Sequence, residues 1–222
     1  MKFAEDIYAY EWTNSFENNC NSFYIGGDVG ALVDPGLTMF LPELLAKMEK
    51  DGIARSDIKY VINTHSHPDH FEGSEEFNGD DGVLVALHEK EKEFFDDIGG
   101  DMYRLFGRNE PKIEVDLVLK EGALEMGGES FEVYHVPGHS PGSIALYWPA
   151  RKALFPGDVI FVQNVGRSDF PGGDSNLLKE SIRKLSTLDV DYFMPGHIGI
   201  LKGNDSVKDN FRFVIERVFP YI

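Results

Sequence analysis

The chain has 222 residues, of which 42% are hydrophobic and 27% charged. That length and composition suit one soluble globular domain over residues 1–222 with its own core. Acidic side chains outnumber basic ones by 38 to 21, and the formal net charge of −17 repels phosphate backbones. We therefore expect no nucleic-acid partner and attribute most of the charge to a solvated acidic surface.

Cys20 is the only cysteine, which excludes an intramolecular disulfide and a zinc knuckle built on several thiolates. The N-terminal residues lack the apolar region of a secretion signal, and no stretch approaches the 18 apolar residues of a membrane span. A lone cysteine is compatible with a reducing compartment. We expect a cytoplasmic protein without a membrane partner.

In the first half of the chain, short apolar runs predict strands at 23–25, at 30–33, through Val61 and at 83–87. A helix is predicted after the second strand, because Pro42 suits a first helical turn and Gly52 ends the pattern. Its apolar face would carry Leu44, Leu45 and Met48.

In the second half, strands are predicted at 115–119, 131–136, 143–148, 152–156 and 191–194. Asp174 is typical of the N-cap of a helix whose residues 178, 182 and 185 share one apolar face. A second amphipathic helix, from Val207 to Val218, closes the chain. Strands and helices interleave in both halves, which indicates two sheets packed together with helices outside.

Directly after the strand through Val61, residues 64–70 read Thr-His-Ser-His-Pro-Asp-His. Three of the seven histidines and one carboxylate therefore fall within six residues: His65, His67, Asp69 and His70. Imidazole and carboxylate are ligands of zinc, iron and manganese. Bent over a strand end, such a segment can direct side chains at two ions.

Three further ligand-type residues each follow a strand-like run and a Pro-Gly pair: His139, Asp158 and His197. Such turns at strand ends let side chains from distant segments meet at one rim. Any one of them alone is more often a simple turn residue. Together with the histidine segment they indicate one metal site.

In these motifs and their order, with Asp34 after an early strand, the sequence resembles the metallo-β-lactamase-fold hydrolase superfamily. The resemblance implies an α/β fold, a four-layer αββα sandwich of two mixed sheets packed face to face, with metals at one edge. It also implies the ligands: His65, His67 and His139 for one metal, Asp69, His70 and His197 for the other, and Asp158 bridging both. Asp34 either orients a ligand as a buried acid or only forms an Asp-Pro-Gly turn.

Two divalent ions held close together would activate a bridging hydroxide and polarise a substrate carbonyl. Zinc is the expected metal, with iron or manganese as alternatives. No serine or cysteine nucleophile is required. Asp69 and Asp158 would act catalytically through the metal-bound hydroxide, and Asp69 is interpreted as a ligand, not as a general base.

The loop 166–174 looks like that of hydroxyacylglutathione hydrolases (glyoxalase II), and more specifically of their short single-domain relatives. Arg167 either contacts an anionic substrate group or pairs with Asp169. Residues 198–200 read Ile-Gly-Ile where those enzymes usually carry a tyrosine, and the basic helical region that they use for glutathione has no counterpart before Ile222. A small acyl thioester is the predicted substrate, and the identity of the natural thioester stays open.

Three alternatives stay open beside a thioesterase. The first is a lactone or other ester hydrolase of the same fold. The second is a persulfide dioxygenase with one iron on His65, His139 and Asp158, because the run Gly-Arg-Ser-Asp-Phe also looks like the matching loop of those enzymes. The third is a non-catalytic metal-binding module.

Two histidines are not predicted as ligands. His135 is expected to pack in a core, and His88 is expected at the surface near a helix start. Residues 89–107 carry more apolar side chains than a simple connector needs. They would wall a substrate pocket, form a contact in a homodimer, or simply pack as a helix in a monomer.

Overall fold

A computed structural model describes residues 1–14 and 16–222 as two compact units. The first unit comprises Met1–Leu119 and Met126–Glu129, and the second comprises Lys120–Glu125 and Ser130–Ile222.

The first sheet has seven strands in chain order: β1 (Lys2–Ala4), β2 (Ile7–Tyr10), β3 (Ser22–Ile25), β4 (Ala31–Val33), β5 (Tyr60–Ile62), β6 (Leu84–His88) and β7 (Leu117–Leu119). Neighbours from β1 to β4 are antiparallel, and those from β4 to β7 are parallel. The parallel strands β4 to β6 therefore end at the same edge, where the chain leaves β5 toward the histidine segment.

The described part of the first unit contains three α-helices: α1 (Leu41–Lys50), α2 (Pro68–Phe71) and α3 (Glu89–Leu105). Three 3₁₀ helices accompany them at Thr38–Phe40, Arg55–Asp57 and Glu72–Phe77. Met48 of α1 and Tyr103 of α3 are buried in one cluster with Val61 of β5. Apolar burial of this kind fixes both long helices on one face of the sheet.

The second sheet is mixed, and its strands are β8 (Gly122–Met126), β9 (Glu129–His135), β10 (Ile144–Trp148), β11 (Ala153–Gly157), β14 (Tyr192–Pro195) and β15 (Leu201–Lys202). Their order in the sheet is β15-β14-β11-β10-β9-β8. β14 is parallel to β11, whereas the pairs β9–β10, β10–β11 and β14–β15 are antiparallel. The strands β12 (Ile160–Phe161) and β13 (Asn164–Val165) form a separate two-stranded antiparallel sheet.

The second unit has two α-helices, α4 (Ser175–Leu185) and α5 (Asn204–Phe213). A π-helical turn over Val214–Val218 and a 3₁₀ helix over Phe219–Tyr221 continue α5, and another 3₁₀ helix spans Pro149–Arg151. Ile182 and Phe211 are buried in one cluster with Leu154 and Phe193 of the sheet. Both helices therefore pack on one face of the second sheet.

The predicted α/β class, with two mixed sheets and helices outside them, is confirmed. All nine predicted strands and the three predicted helices form, with ends shifted by at most five residues. Asp174 caps α4, since its Oδ1 accepts the backbone N–H of Asn176 at 2.8 Å and of Leu177 at 3.0 Å.

The surface position predicted for His88 is wrong. Residue 88 does begin a helix, but its side chain is 2% exposed and its Nδ1 accepts the backbone N–H of Lys90 at 3.4 Å. Its strand, β6, lies between two others, which places the strand's end inside the unit. Within residues 1–14 and 16–222, the helices are all too short or too polar to cross a membrane.

Candidate metal centre

The histidine segment is held at the edge of the first sheet. It leaves β5, the extended backbone of His67 precedes α2, and Pro68 suits the first position of that helix. The four predicted ligands are all buried: His65, His67, Asp69 and His70. Donor atoms lie within 4.8 Å of each other in the pairs His65–His67, His65–His70 and Asp69–His70. This segment alone therefore presents three imidazoles and one carboxylate as neighbours.

Asp34 orients two of these histidines. Its carboxylate is buried and accepts the backbone N–H of Thr64 at 2.8 Å, the Thr64 hydroxyl at 2.7 Å and Nδ1 of His70 at 2.9 Å. The Thr64 hydroxyl donates its proton to Asp34, so its Oγ1 can only accept a hydrogen bond from His65, whose Nδ1 lies 3.1 Å away. Both rings then carry their proton on Nδ1 and a lone pair on Nε2, as a metal ligand requires.

Asp34 also forms the turn that the sequence suggested as its alternative role, because its φ of 52° lies in the left-handed region that Asp tolerates. The two roles are compatible in one residue. The turn brings the carboxylate beneath the histidine segment, and the hydrogen bonds then hold that segment in place.

Glu91 also holds this histidine segment, a role that the sequence did not reveal. It lies in the first turn of α3, is fully buried, and its Oε1 accepts both the backbone N–H of Ser66 at 2.9 Å and its hydroxyl at 2.7 Å. Asn18 similarly donates to Asp69 Oδ2 at 2.9 Å. Glu91 stands in a charged helical stretch, where nothing in the sequence separates it from its exposed neighbours.

In the second unit, two histidines of the Pro-Gly turns converge on the carboxylate of the third turn residue, Asp158. Asp158 follows β11, and its Oδ2 lies 3.7 Å from Nε2 of His139 and 3.4 Å from Nε2 of His197. Nδ1 of His139 lies 2.6 Å from the backbone carbonyl of Arg167, which fixes the proton on Nδ1. His139 and Asp158 are buried, whereas His197 is partly exposed.

Close backbone approach explains two glycines beside these residues. A Cβ on Gly138, whose φ is +133°, would lie 2.2 Å from the backbone nitrogen of Leu178 in α4. A Cβ on Gly166 would lie 1.7 Å from the carbonyl oxygen of Asp158. Neither distance can be tolerated, so both positions need glycine to place His139 and Asp158.

The donors of each unit fit a divalent transition metal. Oxygen atoms accept the Nδ1 protons of His65, His70 and His139, so Nε2 of each ring keeps a lone pair that can bind a metal. A metal ion would also compensate the burial of the carboxylates and imidazoles. Nitrogen and oxygen donors without thiolate suit zinc, iron or manganese. The structure thus brings together the predicted ligands within each unit.

Arg167 adopts the second of its two predicted roles. Its guanidinium forms two hydrogen bonds to Asp169, at 2.8 and 2.7 Å, and lies 4.0 Å from the centre of the Phe170 ring. The bond to Asp169 raises the pKa of Arg167 and lowers the pKa of Asp169. His135 is half-buried, and its Nε2 contacts the carbonyl of Pro141 at 2.9 Å, in agreement with a packing role.

Comparison with known proteins places this fold and these donors in one class. The sequence model of the Metallo-beta-lactamase superfamily matches residues 16–197. A hydroxyacylglutathione hydrolase, GloC, of Haemophilus influenzae is 33% identical over 191 residues, which cover 82% of this chain and 86% of that protein.

Two solved structures share the fold. The BLEG-1 B3 metallo-beta-lactamase superposes with a TM-score of 0.76 at 27% identity, covering 91% of this chain and 95% of the other. TTHA1623, solved in a di-iron-bound form, superposes with a TM-score of 0.73 at 26% identity, covering 97% and 100%.

The chain belongs to the metallo-β-lactamase superfamily, and the predicted resemblance is confirmed. Within that superfamily it is a metallo-hydrolase with relatives among the hydroxyacylglutathione hydrolases.

Proposed function

We propose that this metallo-hydrolase cleaves small acyl thioesters with two divalent metal ions, zinc being the first choice. The observation that carries the proposal is the set of imidazoles whose Nδ1 is held by an oxygen, His65 and His70 in one unit and His139 in the other. Side chains fixed in this way are ready to bind a metal without rearrangement.

The proposed ligand scheme is the one that the family resemblance implies. His65, His67 and His139 would hold one ion, Asp69, His70 and His197 would hold the second, and Asp158 would contribute its carboxylate to both. The proposal treats residues 1–222 as one domain. Support comes from the nitrogen and oxygen donors that converge within each unit and from the family match that spans residues 16–197.

When bound, the two ions would lower the pKa of a water and polarise the substrate carbonyl. The chain's own residues hold the proposed ligands in position. Asp34 holds the rings of His65 and His70, and Glu91 holds the backbone between the ligands at Ser66. A thiolate is a good leaving group because thiols are far more acidic than alcohols, so a dedicated general acid is not required.

The relative from Haemophilus influenzae supports a thioester, since its name is that of an enzyme that hydrolyses one. Arg167 as a contact for an anionic substrate group is the weaker part of the proposal, because Asp169 already holds its guanidinium. A cytoplasmic location belongs to the proposal as well.

The ligand scheme is tested by metal quantification and thioester turnover of single variants. His65→Ala and Asp158→Ala should each lose tight metal binding and at least about a hundredfold of kcat/KM. His135→Ala is the matched control, because it is the histidine outside the scheme that is only half-buried. Full metal content and rate in His65→Ala would refute the scheme.

The reaction type is tested on a substrate panel with the metal-loaded protein. We expect thioesters of a common thiol to be cleaved faster than lactones and other esters, and faster than a chromogenic β-lactam, which the similarity to BLEG-1 makes a necessary comparison. Iron with persulfide-dependent oxygen uptake would instead support a dioxygenase, and metal binding without any turnover would support a non-catalytic module.

A further inference from the structure

The first unit contains a small cavity beside Asp69 that the ligand scheme does not use. Its volume is about 230 Å³, and its apolar wall is formed by Leu37, Met39, Phe40, Pro68 and Phe106. A dry cavity of about 150 Å³ accepts a benzene ring, so this one accepts a ring with several more atoms. The cavity therefore has the size of a side chain of a substrate and not of a whole cofactor.

The charges around this cavity disfavour an anion. Glu17 contributes a carboxylate to the lining, and Asp69 contributes a second one, whose charge the proposed metal ion would offset. Arg108 is the cation of the lining, but its guanidinium lies 2.9 Å from both carboxylate oxygens of Glu72. The ion pair of Arg108 and Glu72 is mostly buried and has no net charge. Arg108 therefore supports the cavity wall and does not bind a substrate carboxylate.

We propose that this cavity holds the acyl side chain of the substrate and selects neutral, apolar acyl groups of about the size of a benzene ring. The inference rests on the proposed function, because Asp69 is both a proposed metal ligand and part of the cavity lining. Asp69 would help to hold an ion that polarises the substrate carbonyl, so the acyl substituent of a carbonyl at that ion would lie next to the cavity.

The preference is measured with acetyl, phenylacetyl and succinyl thioesters of one thiol. The phenylacetyl compound should have a kcat/KM at least about tenfold above the other two, as expected for several apolar groups entering a fitted pocket. Equal kcat/KM values for the three acyl groups would overturn the proposal. So would a selectivity that follows the thiol when the acyl group is kept constant.

Met39 provides a variant that should fold, because its side chain is 61% exposed while it lines the cavity. Met39→Glu should reduce the phenylacetyl-to-acetyl ratio about tenfold, and Met39→Arg should raise the relative rate for the succinyl thioester. Leu105→Glu is the control, since Leu105 is also 61% exposed and lies outside the lining. Identical ratios in Met39→Glu and Leu105→Glu would overturn the assignment.

A binding measurement separates this proposal from the proposed reaction. Phenylacetamide, a neutral probe without a thioester, should bind the native protein and the Leu105→Glu variant in ligand-observed NMR, and bind Met39→Glu about tenfold more weakly. Absence of binding to the native protein would overturn the cavity assignment even if thioesters are cleaved. Specific binding without cleavage of any thioester would support the ligand class and refute the proposed function.

Discussion

Asp34 shows how one side chain can determine the chemistry of several others. It accepts three hydrogen bonds with two oxygens and thereby sets the proton position of both His65 and His70. An amide in its place has one oxygen and two donor hydrogens, so it cannot accept from all three groups.

Replacing Asp34 by Asn should therefore weaken metal binding about 10- to 100-fold, the usual effect of losing a residue that orients a ligand. Asn also tolerates the positive φ, so the backbone is retained. Competition with a chromophoric chelator measures the affinity. Asp6→Asn, at a similar φ of 56°, is the control, and equal affinities in the two variants would contradict the role of Asp34.

At the scale of elements, helix α3 does more than cover the sheet. Glu91 in its first turn receives two hydrogen bonds from Ser66, and Tyr103 near its other end packs in the first core. The helix therefore connects the histidine segment to the hydrophobic core. The hydrogen bonds that position the ligands thus also contribute to the free energy of unfolding.

Glu91→Ala should lower the free energy of unfolding by about 3 kcal/mol, because it leaves the buried N–H and hydroxyl of Ser66 without their acceptor. Glu93→Ala, at an exposed position of the same helix, should change it by less than about 0.5 kcal/mol. Urea titration of both metal-free variants measures the difference. Equal stability of the two would show that Glu91 does not hold the loop.

The contact of the β9–β10 loop with α4 is the corresponding feature of the second unit. Gly138→Ala should destabilise the protein by about 2 kcal/mol or more, because its Cβ would overlap the backbone of Leu178. Gly122→Ala is a matched control, since Gly122 has a similar φ of +127° and nothing within 4 Å of the added Cβ. Thermal unfolding compares them, and equal losses would mean that strain alone, and not the clash, determines the result.

At the scale of the whole molecule, the acidic charge and the metal site are connected. Two of the 38 acidic residues, Asp69 and Asp158, are proposed ligands, and bound cations would offset part of the net charge of −17. An ion that binds only the folded chain also stabilises it.

Removal of the metal by a chelator should therefore lower Tm by about 5–10 °C, if the ion is present at about a hundred times its dissociation constant. Differential scanning calorimetry before and after chelation provides the measurement. In His65→Ala the shift should be much smaller. An unchanged Tm of the native protein would contradict a structural contribution of the metals.

Stability at alkaline pH depends on buried tyrosines. Burial, with a smaller effect of Asp57, raises the pKa of Tyr24 from 10.0 to about 12. The folded chain then holds this proton more tightly than the unfolded chain, so its stabilising effect is complete below pH 10 and is lost as pH rises toward 12.

Tyr24→Phe should flatten this part of the stability–pH curve, although it removes a hydrogen bond to the Asp57 carbonyl and so costs about 1 kcal/mol at pH 8. Urea titrations from pH 8 to 11.5 measure the curve. Tyr221→Phe, at a side chain that is 88% exposed, is the control. An unchanged slope in Tyr24→Phe would contradict the role of this hydroxyl.

Local pattern was enough to predict much of this protein. Short apolar runs predicted the buried strands β5, β6 and β10. Apolar residues at helical spacing predicted α1 and α4, because each helix buries one face. The short strands β1, β12, β13 and β15 have only two or three residues each, too few for a period to be visible. The strands β2 and β8 were missed as well.

The sequence by itself determined which residues are available for the metal chemistry, because imidazoles and carboxylates at strand ends form a recognisable spacing. Only the tertiary structure decided how they are held. Glu91 reaches Ser66, and the backbone carbonyl of Arg167 reaches His139, through contacts between residues that no local pattern connects. Hydrogen-bond partners depend on distances of about 3 Å between separate elements, and those distances exist only once the hydrophobic cores have packed.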